Sequence, residues 1–146
     1  MDRDDARARF AAGRVARLAT LAPRRQPQLL PVAFAMGSGP EGDAITFAVD
    51  GKARSTSGLR RLQQLAANAS VSLLVDHYED DWSALGWVRA DGEARVLEGG
   101  PTFRVAQSGL TAKYAAYDLA PPPGPLVVVD VKSWEWWEAS DGSYPV

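Results

Sequence analysis

The chain has 146 residues, of which 46% are hydrophobic and 23% charged, and its formal net charge is -2. That is enough chain for one globular domain over residues 1–146 with its own core, and too little positive charge for broad attraction to nucleic acid or an anionic membrane surface. The lack of cysteine excludes disulfides, thiolate metal sites and a cysteine nucleophile, and one histidine excludes a histidine-rich zinc centre.

No apolar run approaches the roughly 20 residues that cross a bilayer. The acidic start Met1-Asp2-Arg3-Asp4-Asp5 leads into no apolar signal-peptide core, so a cytoplasmic location is expected. Residues 2–12 read as a short helix, with acidic residues in the first turn, Ala6 and Phe10 on one side and Gly13 as its cap. Residues 15–21 are strand-like, residues 22–27 a turn, and residues 28–36 a second strand. Pro31 removes a ladder donor there, which places that strand at an edge, next to a bulge or at a ligand. Residues 37–42 form a tight loop that formally matches G-x-G-x-x-G. A dinucleotide fingerprint needs a helix immediately afterwards, and here Asp43 opens a strand instead.

Residues 44–76 carry the main signal. An apolar strand over residues 45–49 leads into Asp50-Gly51-Lys52-Ala53-Arg54-Ser55-Thr56, which gathers two cations and two hydroxyls where a helix begins. A helix start leaves N–H groups unpaired, Arg offers a planar fork and Lys a point charge, so this loop has the chemistry a phosphate needs. Taken alone it also fits an ordinary solvated connection. Ser55 or Thr56 caps the helix, which runs through Ala67 with Leu59, Leu62, Leu65 and Ala66 on its apolar side and Arg60, Arg61, Gln63 and Gln64 outward. Asn68 ends it, and residues 71–75 return as an apolar strand.

An acidic loop over residues 76–82 follows and carries His77. Residues 85–97 are a long strand or strand pair, with Asp91-Gly92 as a turn or bulge. Pro101 suits the first turn of a second helix over residues 102–117, with Phe103, Ala106, Leu110 and Tyr114 or Tyr117 as its stripe. A proline-rich connector over residues 121–125 precedes a Val- and Trp-rich strand over residues 126–138. Strands outweigh helices and are linked as hairpins, which predicts a mostly antiparallel barrel with helices packed outside.

No G-x-S-x-G elbow accompanies His77, and Glu79, Asp80 and Asp81 lack calcium-loop spacing. No catalytic acid–base residue and no metal ligand is therefore assigned. Trp134 and Trp136 share one strand face and Trp137 takes the other.

The order Arg-Leu-Ala-Thr-Leu (17–21), Pro-Val-Ala-Phe (31–34), Ile-Thr-Phe-Ala-Val-Asp-Gly-Lys (45–52), Leu-Arg-Arg-Leu (59–62) and Val-Ser-Leu-Leu-Val-Asp-His-Tyr (71–78) resembles the pyridoxamine-phosphate-oxidase-like split-barrel flavoproteins. With Asp-Asp-Trp-Ser-Ala-Leu-Gly-Trp-Val-Arg-Ala-Asp-Gly (80–92) it is similar to the actinobacterial branch that uses the deazaflavin F420. The resemblance implies a mainly β fold with flanking helices, a six-stranded split barrel, and a homodimer with cofactor sites at the subunit interface. It implies an oxidoreductase that moves a hydride between F420, or alternatively FMN, and a small planar organic substrate. A flavin, deazaflavin or haem carrier on the same fold is the alternative. Carried over by position, the phosphate loop falls on Lys52, Arg54, Ser55 and Thr56, and the ring-contacting strand on Pro31, Val32, Ala33 and Phe34. Val75, Asp76 and His77 line the same groove, and Trp137 reaches it from the partner chain. Gly86 departs from the bulky aromatic of that pattern.

Overall fold

A computed structural model of the chain describes residues 1–21, 26–49 and 56–139. Helix α1 (Arg3–Ala12) starts with a reciprocal cap, in which Asp2 accepts the Asp5 N–H at 2.9 Å and Asp5 accepts the Asp2 N–H at 3.2 Å. Strands β1 (Ala16–Leu21), β2 (Pro27–Val32), β3 (Ala35–Gly39) and β4 (Gly42–Ala48) follow, then α2 (Thr56–Ala67) and β5 (Ser70–His77). After a 3-10 turn at Trp82–Ala84 come β6 (Gly86–Leu97), α3 (Pro101–Lys113), α4 (Ala115–Leu119) and β7 (Leu126–Glu138). Among the described residues no helix is long and apolar enough to cross a membrane.

The strands form one antiparallel sheet in the order β2-β1-β5-β6-β7-β4-β3. Strands β2 and β3 are thus opposite edges of the sheet, yet only Ala33 and Phe34 join them. Laid flat, seven strands would hold those edges roughly 29 Å apart, whereas the step from Val32 to Ala35 spans at most about 11 Å. The sheet must therefore roll into a barrel. No ladder joins β2 to β3 among the described residues, so the barrel is split along that seam. Pro31 sits on the edge strand, where its missing donor costs no ladder bond to a second neighbour.

Two expectations are corrected. Residues 28–36 are two strands, which makes the sheet seven-stranded rather than six-stranded. The chain leaves the ladder at Phe34 because the Tyr114 hydroxyl accepts its N–H at 3.0 Å, in place of a strand neighbour. The second helix breaks at Tyr114, whose backbone is extended (φ -118°, ψ 120°). Helices α1 and α2 flank the sheet, as expected, and cover the core. They add Ala6, Phe10 and Leu65 to the core that Leu18, Leu73 and Val88 fill from the sheet, because a small barrel otherwise exposes apolar ends. Helix α3 packs on the outer face, where Phe103 and Leu110 form a separate cluster with Ala35 and Leu126. Within α2 the stripe is narrower than its spacing suggests, since Leu65 is buried while Ala66 is exposed.

The Asp91–Gly92 step is a bulge rather than a turn. A Cβ at Gly92 would lie 2.3 Å from the Asp130 carbonyl oxygen, so only glycine lets β6 and β7 approach there. Residues 37–42 lie in the β3–β4 hairpin, not before a helix.

Candidate functional site

Alternation decides which side chains leave the barrel. Along β1, Leu18 and Thr20 point inward while Arg17, Ala19 and Leu21 point out. Register carries the outward set across the sheet: Pro31 pairs with Arg17, Arg17 with Leu74, Leu74 with Arg89 and Arg89 with Glu135. One step along, Asp76 pairs with Trp87 and Trp87 with Trp137. A band of mixed apolar and charged residues therefore crosses five strands, and α3 lies elsewhere, against β3, β4 and β7.

Two clefts meet at Trp87, one on this outward face and one at the barrel end where α1 packs beside Val75 and Val88. The first, about 320 Å³, is lined by Arg17, Ala19, Leu29, Leu74, Trp87 and Arg89. The second, about 340 Å³, is lined by Arg9, Gly13, Val75, Asp76, His77 and Trp87 among others. A third cleft bordered by Arg17, Asp76, His77 and Trp87 lies between them and shares residues with both, so they form one groove with Trp87 at its centre. Arg89 is held by Asp91, with Nε 3.0 Å from Oδ1 and Nη2 3.0 Å from Oδ2. Arg17 has no hydrogen-bond or ion-pair partner among the described residues and offers its full charge to the groove. His77 Nε2 lies 2.8 Å from the Glu79 Oε1 carboxylate oxygen, in an exposed position.

The predicted site residues divide into three groups. Val75, Asp76 and His77 line the groove, and Trp137 is half-buried beside Trp87 on the same face. In the ring-contacting stretch, Pro31 is exposed and Ala33 half-buried, but the side chains of Val32 and Phe34 lie in the core. The backbone of Phe34 is engaged as well, since the Tyr114 hydroxyl lies 3.0 Å from both its N–H nitrogen and its carbonyl oxygen. Lys52, Arg54 and Ser55 lie outside the described residues. Both ends of their loop are placed, with Val49 buried on one side and Thr56 as the first residue of α2 on the other.

Arg9, Arg17 and Trp87 were not singled out from sequence. The outward phase of β1 and the alternation of Trp87 with buried Val88 were signals that could have found two of them. Gly86 lines the second and third clefts. Its missing side chain seats Arg9, since a Cβ there would lie 3.7 Å from Arg9 Nη1 and 3.1 Å from the Trp137 carbonyl oxygen. Arg9 passes over it to bind Glu138 at 3.0 Å. Among the described residues, no group of His, Asp and Glu could hold a metal ion.

Comparison with known proteins agrees with this architecture. The family model described as pyridoxamine 5'-phosphate oxidase matches residues 3–139. No curated protein matches the chain. Among solved structures, a conserved hypothetical protein of Mycobacterium tuberculosis aligns with a TM-score of 0.73 at 20% identity, covering 94% of this chain and 85% of that one. An FAD-binding protein of Mesorhizobium loti gives 0.73 at 18% identity, covering 97% and 96%. HutZ, the haem storage protein of Vibrio cholerae, gives 0.65 at 13% identity, covering 93% of each chain. At these identities the likeness is one of fold.

Proposed function

Because the chain belongs to the pyridoxamine 5'-phosphate oxidase family and has its split-barrel fold, we propose that it is a cytoplasmic, homodimeric oxidoreductase that binds F420. FMN is the alternative cofactor. The observation that carries this reading is the groove lined by Trp87, Leu74 and Arg17, with Trp137 paired beside Trp87 in the strand register. An apolar, aromatic-walled groove with a cation at its border fits a flat heterocycle bearing anionic groups.

The bound cofactor supplies the hydride chemistry. The protein's share is to bind, orient and exclude water. Lys52 and Arg54 neutralise phosphate, while Ser55, Thr56 and the start of α2 donate hydrogen bonds. Pro31, Val32 and Ala33 border the ring through their backbone, and Phe34 supports them from the core. Val75, Asp76, His77 and Trp137 form the groove wall, and Arg60 and Arg61 meet an anionic tail. Leu29, 74% exposed on the same face, is covered in this reading by a second copy of the chain, which completes the site.

The alternative reading, a carrier without turnover, draws on fold neighbours named for FAD binding and haem storage and on His77 at the groove border. Titration of cofactor-free protein with F420 and separately with FMN, followed by tryptophan fluorescence, tests both. Tight saturable binding of F420, with oxidation of the reduced form by an acceptor from a panel, is expected. Preference for FMN moves the protein to the flavin branch, binding without turnover makes it a carrier, and binding of neither removes the reading.

A further inference from the structure

The outer face under α3 differs in kind from the groove. Across β3, β4, β7 and β6 the register places Ala35, Thr46, Val128 and Arg95 in one row, with Gly37, Ala44 and Asp130 in the next. The floor nearest the helix is thus built of small residues, and α3 answers with Ala106 and Gly109. At Gly109 the helix sits close, since a Cβ there would meet the Ala35 Cβ at 3.6 Å. Toward Gly37, where a Cβ would meet nothing within 4 Å, the two surfaces separate. The result is a cleft of about 390 Å³, within the size range of small-molecule sites.

Arg95 is the one charged side chain lining it among the described residues. Asp130 holds its Nε at 3.0 Å, and neither Nη nitrogen has a partner among the described residues. The ion pair therefore fixes the guanidinium while leaving a planar pair of donors unused at the edge of an apolar space walled by Met36, Val105 and Val128. One fork matches one carboxylate bidentately, and among the described residues no second cation lines the cleft to neutralise a dianion.

We propose that this cleft is a second ligand site, which takes a carboxylate carried on an apolar ring, with Arg95 binding the carboxylate. It lies at the hairpin end of β4, away from the loop that leads into α2, and does not rest on the cofactor reading.

Isothermal titration of the cofactor-free full chain with 2-naphthoate, 2-naphthamide and 2-naphthyl phosphate tests it. Saturable binding of naphthoate is expected, at least ten-fold tighter than that of the neutral amide and tighter than that of the phosphate. Arg95→Gln weakens naphthoate at least ten-fold and leaves the amide unchanged. Because that variant strips Asp130 of its partner, Gly37→Leu provides an independent arm: it fills the cleft from an open strand position and abolishes binding of both ring compounds while thermal unfolding stays at the wild-type temperature. No naphthoate binding, equal binding of the amide, preference for the phosphate, or wild-type affinity in a folded Gly37→Leu protein would each overturn the proposal.

Discussion

The hydroxyl of Tyr114 takes over the backbone of Phe34: it accepts the Phe34 N–H at 3.0 Å and lies 3.0 Å from the Phe34 carbonyl oxygen. The Arg14 carbonyl, at 2.9 Å, competes for its one proton. A single side chain therefore satisfies the corner at which the chain crosses the barrel seam. Tyr114→Phe leaves the Phe34 N–H without that partner, and a loss of roughly 1–3 kcal/mol is expected. Urea denaturation measures it, and an unchanged midpoint would mean that the corner is held by other contacts.

Asp43 joins α1 to the barrel by accepting Arg7 Nε at 2.7 Å and Trp134 Nε1 at 3.0 Å. The Arg7 hydrogen bond, helped by Trp134, holds its carboxyl below the usual carboxylate range against the opposing effect of burial. With a lowered native pKa, this contribution is full above the unfolded value near about 3.9 and is lost as pH falls through the native value. Asp43→Asn should cost about 1.5–3 kcal/mol at pH 7, and its deficit should shrink below about pH 4. Denaturation at several pH values checks both.

Lys113 behaves in the opposite sense. Its amine is buried without a hydrogen-bond partner among the described residues, 3.7 Å from the Phe34 ring centroid. Burial, with the nearby Arg14 charge, pushes its pKa down to about 8. Between that value and about 10.4 the unfolded chain holds the extra proton, so stability rises with pH across this window and the penalty is full below it. Lys113→Met should therefore melt higher than wild type at pH 7, with the gain fading toward pH 10. A wild-type melting temperature that stays flat from pH 8 to 10 would place the amine in water.

Lys52→Ala is expected to weaken F420, or FMN if that is the ligand, by about 1 to 3 kcal/mol, the range for losing a charged hydrogen-bond partner. Fluorescence titration reads the change. Wild-type affinity in the variant would remove Lys52 from the phosphate loop.

Leu29→Asp places a charge on the exposed apolar face that a second copy is proposed to cover. Sedimentation velocity should find a dimer for wild type and a monomer for the variant. A monomeric wild type, or a variant that dimerises as well, would move the interface away from β2.

Wherever the cause was local, the fold was legible. The cap at Gly13, the stripe residues Ala6 and Phe10, and the bounds of β7 at Leu126 and Glu138 follow from patterns within a few residues. Alternation also placed Trp134 in the core and Trp137 on the opposite face. Residues 28–36 were read as one strand because nothing near them announces the corner. Its cause, Tyr114, is 80 residues away. The break between α3 and α4 at the same tyrosine escaped for the same reason.

By itself, the sequence determined most of the helices and strands, the opposite faces of Trp134 and Trp137, the family, and a cationic loop at the head of α2. Only the tertiary structure decided that Arg17, Asp76 and Trp87 share one groove, that Trp137 pairs beside Trp87, that Arg9 lies over Gly86, and that Arg95 and Asp130 meet beneath α3. The physical reason is range. Helical and strand periods act over one or two turns of chain, whereas a groove across five strands depends on register and closure, which long-range pairing alone sets.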